Sequence, residues 1–303
     1  MQNLLEIIRN ENLQVYRNNP QRLREDIGQE GEIAQNYRGR LIYELLQNAD
    51  DAIGATASST DVVRFVVTES AIWMANSGKP LDVDDVRGLC GISASTKIGQ
   101  GGKRRASIGH KGMGFKSVLE ISDRPEVYST DICFRFSLAD AVRAVQPLVA
   151  EHLIAGPVTR APITRFPWPI TPPDEWQHQR ADGMTTAFCF PFHTDVTTEH
   201  LERLATALCT LPDTSILFLK HLERIEIDIR HPQPVRLGWT ICRQRLTDAG
   251  WVETSNLCES GIHQITVTSD TGETDTFMVA HDANILIGAH RGGLNAVAWE
   301  GVE

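Results

Sequence analysis

A chain of 303 residues, 41% hydrophobic and 22% charged, is long enough to bury a sizeable core and has the composition of a folded protein, which excludes disorder as the default. Its formal charge of −10 disfavours direct nucleic-acid binding by this segment unless basic side chains gather locally. Six widely spaced cysteines without a C-x-x-C pair, an N-terminus without a cleavage pattern and the lack of a bilayer-length apolar run point to a cytoplasmic protein with reduced thiols and no membrane span.

In chain order, Leu4, Ile7, Ile8, Leu23 and Ile27 recur at helical spacing and predict two short helices in the first thirty residues. Glu32 to Ile53 holds few breakers beyond Gly39 and predicts the longest helix, closed by Gly54 as its C-cap. VVRFVVT and AIWMA predict adjacent strands joined around Glu69 and Ser70; Asn76-Ser77-Gly78 breaks the pattern, and a short helix follows around Val83 to Leu89. The stretch at about 92–108, rich in Ser, Gly, Lys and Arg with no apolar period, predicts a mobile polar lid.

GHKGMGFKSVLEIS leads into another helix, and EVYST with ICFRFSL predicts a hairpin. A proline-laden stretch at about 155–180 is expected to be an irregular insertion. Strand TTAFCFPF, helix TTEHLERLATALC and the strand-like SILFLKHLERIEIDI come next, followed by a β-rich tail with a turn at Asp270 to Gly272. The expected organisation is α/β (α+β), with a first domain over 1–222 and a β-rich region over 223–303.

Two constellations carry chemistry. Glu44, Asn48 and Asp51 stand at i, i+4 and i+7 and share one helix face. Such a face is often merely solvated, yet Asn48 and Asp51 are poor helix formers set inside a helix. In G-H-K-G-M-G-F, residues 109–115, three glycines precede a helix, so backbone N–H groups can converge on an anion beside a positive helix end. The closing G-K-[ST] of a Walker A loop is missing and no strand leads directly in, as a Rossmann fingerprint requires; a purely structural turn is the other reading.

The ordered series E-L-L-Q-N-A-D-D-A, N-S-G, S-T-K, I-G-H-K-G-M-G-F and a Thr-led strand, over about residues 20–225, resembles the ATP-binding boxes of the GHKL superfamily. That group includes gyrase, heat-shock chaperone ATPases, histidine kinases and mismatch-repair ATPases, and within it the series looks most like the sacsin-like and no-vein-like ATP-binding domains. The resemblance implies a two-layer sandwich of a mixed β-sheet and helices, with ATP and Mg2+ as ligands. It also implies slow ATP hydrolysis coupled to lid closure and ATP-dependent homodimerisation, in a chaperone-like or bacterial defence multi-domain protein that continues into further domains or an effector partner beyond Glu303.

Carried onto this sequence, the resemblance makes Glu44 the general base, Asn48 the magnesium ligand and Asp51 a support of the pocket's water network. Gly109, Gly112, Met113, Gly114 and Phe115 offer backbone N–H groups to the phosphates, with His110 in the same loop and Lys97 and Lys111 as charge partners. Thr186, or its neighbour Thr185, lies at the floor of the adenine site, beside Asn76 and Gly78. Asn76 stands where the superfamily has an aspartate that accepts from the adenine amino group, and Pro80 where a second glycine is usual; the amide keeps an acceptor and loses the charge.

Lys103, Arg104 and Arg105 either contact phosphate or are a solvated basic loop, Arg40 can pair with Glu44 along the helix, and the tryptophans read as packing anchors or partner contacts. A nucleotide-gated switch without hydrolysis is the alternative function, because GHKL folds often take a catalytic Lys or Arg from a following domain. A histidine kinase fits less well, since no His sits on a preceding two-helix phosphoacceptor segment.

Overall fold

The computed structural model describes residues 2–36, 40–54, 61–91, 114–151, 159–211, 216–217, 219–282 and 285–291. Two helices of 17 residues each, α1 (Gln2–Asn18) and α2 (Pro20–Asn36), take the place of the two short ones expected. Pro20 separates them; it has no N–H to donate and so suits the first position of a helix. The helix expected from Glu32 to Ile53 is divided. α2 ends at Asn36, and α3 (Leu41–Ile53) starts after Arg40, whose ψ of 1° is not helical. Gly39, the breaker in that stretch, falls between them.

Strands β1 (Val62–Val67) and β2 (Ala71–Asn76) are followed by helix α4 (Val83–Cys90), which opens on a reciprocal cap between Asp82 and Asp85. A 3-10 helix over Gly114–Glu120 leads to the hairpin β3 (Glu126–Ser129) and β4 (Ile132–Arg135). Helix α5 (Leu138–Glu151) had not been anticipated. The proline-rich stretch is more ordered than expected: its described part holds a 3-10 turn at Ile163–Arg165, the two-residue strand β5 (Trp168–Pro169) on β4, and helix α6 (Asp174–Ala181) immediately after Pro172 and Pro173.

Then come β6 (Thr186–Pro191), α7 (Thr198–Cys209) and β7 (Arg224–Ile229), the last covering less than the strand expected there. The tail is β8 (Val235–Thr247), β9 (Gly250–Glu253), β10 (Gly261–Ser269), β11 (Thr274–Asp282) and β12 (Ile285–Arg291); Gly272, at φ 89°, makes the β10–β11 turn.

The twelve strands among the described residues form one mixed sheet in the order β12-β11-β10-β8-β7-β1-β2-β6-β3-β4-β5, with β9 on β8. β1 and β7 pair in parallel, so main-chain hydrogen bonding passes unbroken from the N-terminal strands into the C-terminal ones. This is the α/β (α+β) architecture expected, a sheet layered with helices. Alternation along the strands sends Phe65, Ile72, Met74, Phe188, Phe190 and Ile227 into a core with Leu45, Leu46 and Ala49 of α3 and Val86 of α4.

The opposite sheet face is also covered, over part of its width. Trp73 stacks on Tyr128 at 5.4 Å, and Trp176 of α6 lies 6.1 Å beyond. Ion pairs from Arg64 to Asp182 and from Arg230 to Glu175 hold α6 there. Glu30 of α2, 5% exposed, accepts from the backbone N–H groups of Ile163 (2.7 Å) and Thr164 (3.0 Å) and from the Thr164 hydroxyl (2.6 Å), clipping α2 to the segment before β5. No helix among the described residues is long and apolar enough to cross a membrane.

Candidate functional site

The core stripe of α3 is Leu41, Ile42, Leu45, Leu46, Ala49, Asp50 and Ile53. Glu44, Asn48 and Asp51 flank it, half-buried, on the shared face that their spacing requires. Because α3 begins at Leu41, Glu44 belongs to its first turn. The amide of Asn48 has no hydrogen-bond partner among the described residues.

Asp50 is a carboxylate on the buried stripe, 3% exposed, and sequence reasoning passed over it in favour of Asp51. It accepts from three consecutive backbone N–H groups, Lys220 (2.9 Å), His221 (2.8 Å) and Leu222 (2.8 Å). From the other side the guanidinium of Arg243, 2% exposed, donates to the carbonyls of Leu219 (3.1 Å) and Leu222 (2.7 Å). Burial lowers the pKa of Arg243, and the Asp50 charge opposes that shift. The segment leading into β7 is thereby fastened between the site helix and β8. Its signal in the sequence was available: an acidic residue next to Ala49 and three before Ile53, where the helical period demands an apolar one.

Gly54 ends α3 with φ −60° and ψ −11°, so it is not there for a left-handed cap. A Cβ at that position would lie 2.5 Å from ring atoms of His221; close approach is what requires glycine. The same holds at Gly78, where a Cβ would stand 2.6 Å from the Ala52 carbonyl carbon and the Ile53 nitrogen. Lys79 N–H donates to the Ala52 carbonyl at 2.9 Å, so the Asn76-Ser77-Gly78 turn is pressed onto the end of the helix that carries Asn48 and Asp51.

Across the sheet, Asn76 of β2 pairs with Thr186 of β6, which pairs with Ser129 of β3. All three share the parity of Met74, Phe188 and Val127, so they make a buried polar row at the end of the apolar, helix-covered face, 2%, 2% and 1% exposed. Thr186 and Ser129 hydroxyls bond each other at 3.2 Å, and Ser129 Oγ accepts from Leu81 N–H at 3.0 Å. Thr185 lies just before the strand; its N–H reaches the Asn76 carbonyl at 2.9 Å and its hydroxyl bonds the carbonyls of Asn76 and Gly78. The structure thus gathers Asn76, Gly78, Thr185 and Thr186 beside the Ala52–Ile53 end of α3, the helix on which Glu44, Asn48 and Asp51 share a face. Ser129 joins them, a residue that no sequence motif marked.

Gly114 begins the 3-10 helix that packs on α3 and α2. Phe115, 1% exposed, anchors it among Phe136 (5.9 Å), Phe188 (5.6 Å) and Phe190 (6.1 Å). Lys116 is buried as well, and its Nζ donates to the Gly91 carbonyl at 2.5 Å; burial pulls its pKa down to about 8. Lys97, Gly109, His110, Lys111, Gly112, Met113 and the lid expected at about 92–108, with Lys103, Arg104 and Arg105, lie outside the described residues. Among the described residues no group of three or more His, Cys, Asp or Glu is placed to hold a metal, so the metal expectation rests on Asn48.

Fold and site define an α/β protein whose candidate site is the end of a helix, α3, and the polar ends of β2, β6 and β3. No family model matches the chain. It is similar to Protein NO VEIN of Arabidopsis thaliana, with 36% identity over 100 residues, which are 33% of this chain and 4% of that protein. The chain therefore spans only a small part of the length of the curated relative it matches.

Proposed function

We propose that this chain is a GHKL-type module that binds ATP with magnesium and hydrolyses it slowly. The observation that carries the reading is the packing of the Asn76–Gly78 turn and the Gly114–Glu120 helix against α3, the helix on which Glu44 and Asn48 share a face. That is where the resemblance puts the base, the phosphates and the general base. The half-buried amide of Asn48, without a hydrogen-bond partner among the described residues, suits a ligand that brings its own oxygens.

Magnesium, when bound, would neutralise charge on the phosphates. Asn48 would hold it through Oδ1, a neutral oxygen that adds no repulsion toward the triphosphate. Glu44 would orient the attacking water and take its proton, and Asp51 would order water along the same face. The rows of the polar floor, Asn76 and Thr186, would meet the base. Coupling to lid closure, to homodimerisation and to further domains of a chaperone-like or defence protein belongs to the same proposal.

The test is phosphate release by the purified chain, with binding measured in parallel. Glu44→Ala should lower turnover by roughly 10²- to 10⁴-fold while ATP still binds, and Asn48→Ala should abolish the magnesium dependence of binding. Unchanged turnover in both variants would sink the assignment. Tight binding by the unaltered chain with no phosphate released would make it a nucleotide-gated switch instead.

A further inference from the structure

We draw no further inference here: the strongest candidate, the groove of about 390 Å³ between α6 and the charged face of β7, is lined by Arg64, Arg224, Arg230 and Arg236 together with the carboxylates that already pair with them, and nothing in the structure shows what covers it.

Discussion

Replacing Asp50 by alanine removes the acceptor of three backbone donors at once, and these donors lie 170, 171 and 172 residues away in the chain. An orphaned buried donor costs roughly 1–3 kcal/mol, so three of them set an upper range of about 3–9 kcal/mol. Water entering the space left by the carboxylate recovers part of this, whereas Arg243, buried nearby, loses its counter-charge. The expected loss is about 4 kcal/mol, a large share of the roughly 5–15 kcal/mol that holds a domain folded. Asp50→Asn is milder, at about 2 kcal/mol: one oxygen still serves two donors and an NH2 group now faces the third. Urea unfolding followed by circular dichroism measures both, read as a midpoint shift at constant slope. Loss of less than about 1 kcal/mol in Asp50→Ala would refute the claim that this carboxylate holds the segment before β7.

Two glycines give an ordered pair of outcomes. Gly78→Ala drives a methyl group into backbone atoms of Ala52 and Ile53 that cannot step aside, and should cost about 3 kcal/mol; Gly54→Ala meets only the movable ring of His221 and should cost about 1 kcal/mol. Equal losses on denaturation would contradict that contrast. Lys116 gives a pH signature. Below about pH 8 folded and unfolded chains both hold its proton, so the penalty of the buried cation is constant; between about 8 and the ordinary value of 10.5 the unfolded chain binds more protons and stability rises with pH. The slope from this amine is roughly 1.4 kcal/mol per pH unit. Cys90, whose thiol burial raises to about 12, acts in the opposite sense above pH 9, so the quantity to follow is the difference between the unaltered chain and Lys116→Met. A difference that stays flat from pH 7 to 10 removes the buried cation from the account.

Much of the fold was legible because its signals are local. Alternating β-branched and aromatic runs marked β1, β2, β3, β4 and β6, and Asp270 to Gly272 marked the β10–β11 turn. Glu44, Asn48 and Asp51 share a face wherever the helix begins, since the helical period alone fixes that. The division between α2 and α3 was misread because one glycine costs only about 1 kcal/mol and periodicity runs on across it. α6 was missed because prolines set just before a helix look the same in sequence as prolines that forbid one.

The sequence by itself determined that the chain is a folded α/β protein and that a helix face carries Glu44, Asn48 and Asp51. It could not say that Asp50, and not its acidic neighbour, is buried against Lys220 to Leu222, nor that Gly54 and Gly78 are there for close approach. It could not say that the amide of Asn76 spends its oxygen on the Gly78 N–H. Those facts follow from contacts between segments far apart in the chain, and a residue's hydrogen-bond partners across such distances leave no period or spacing to read. Tertiary structure decided them because only packing determines which polar groups lose water and must find a partner within the protein.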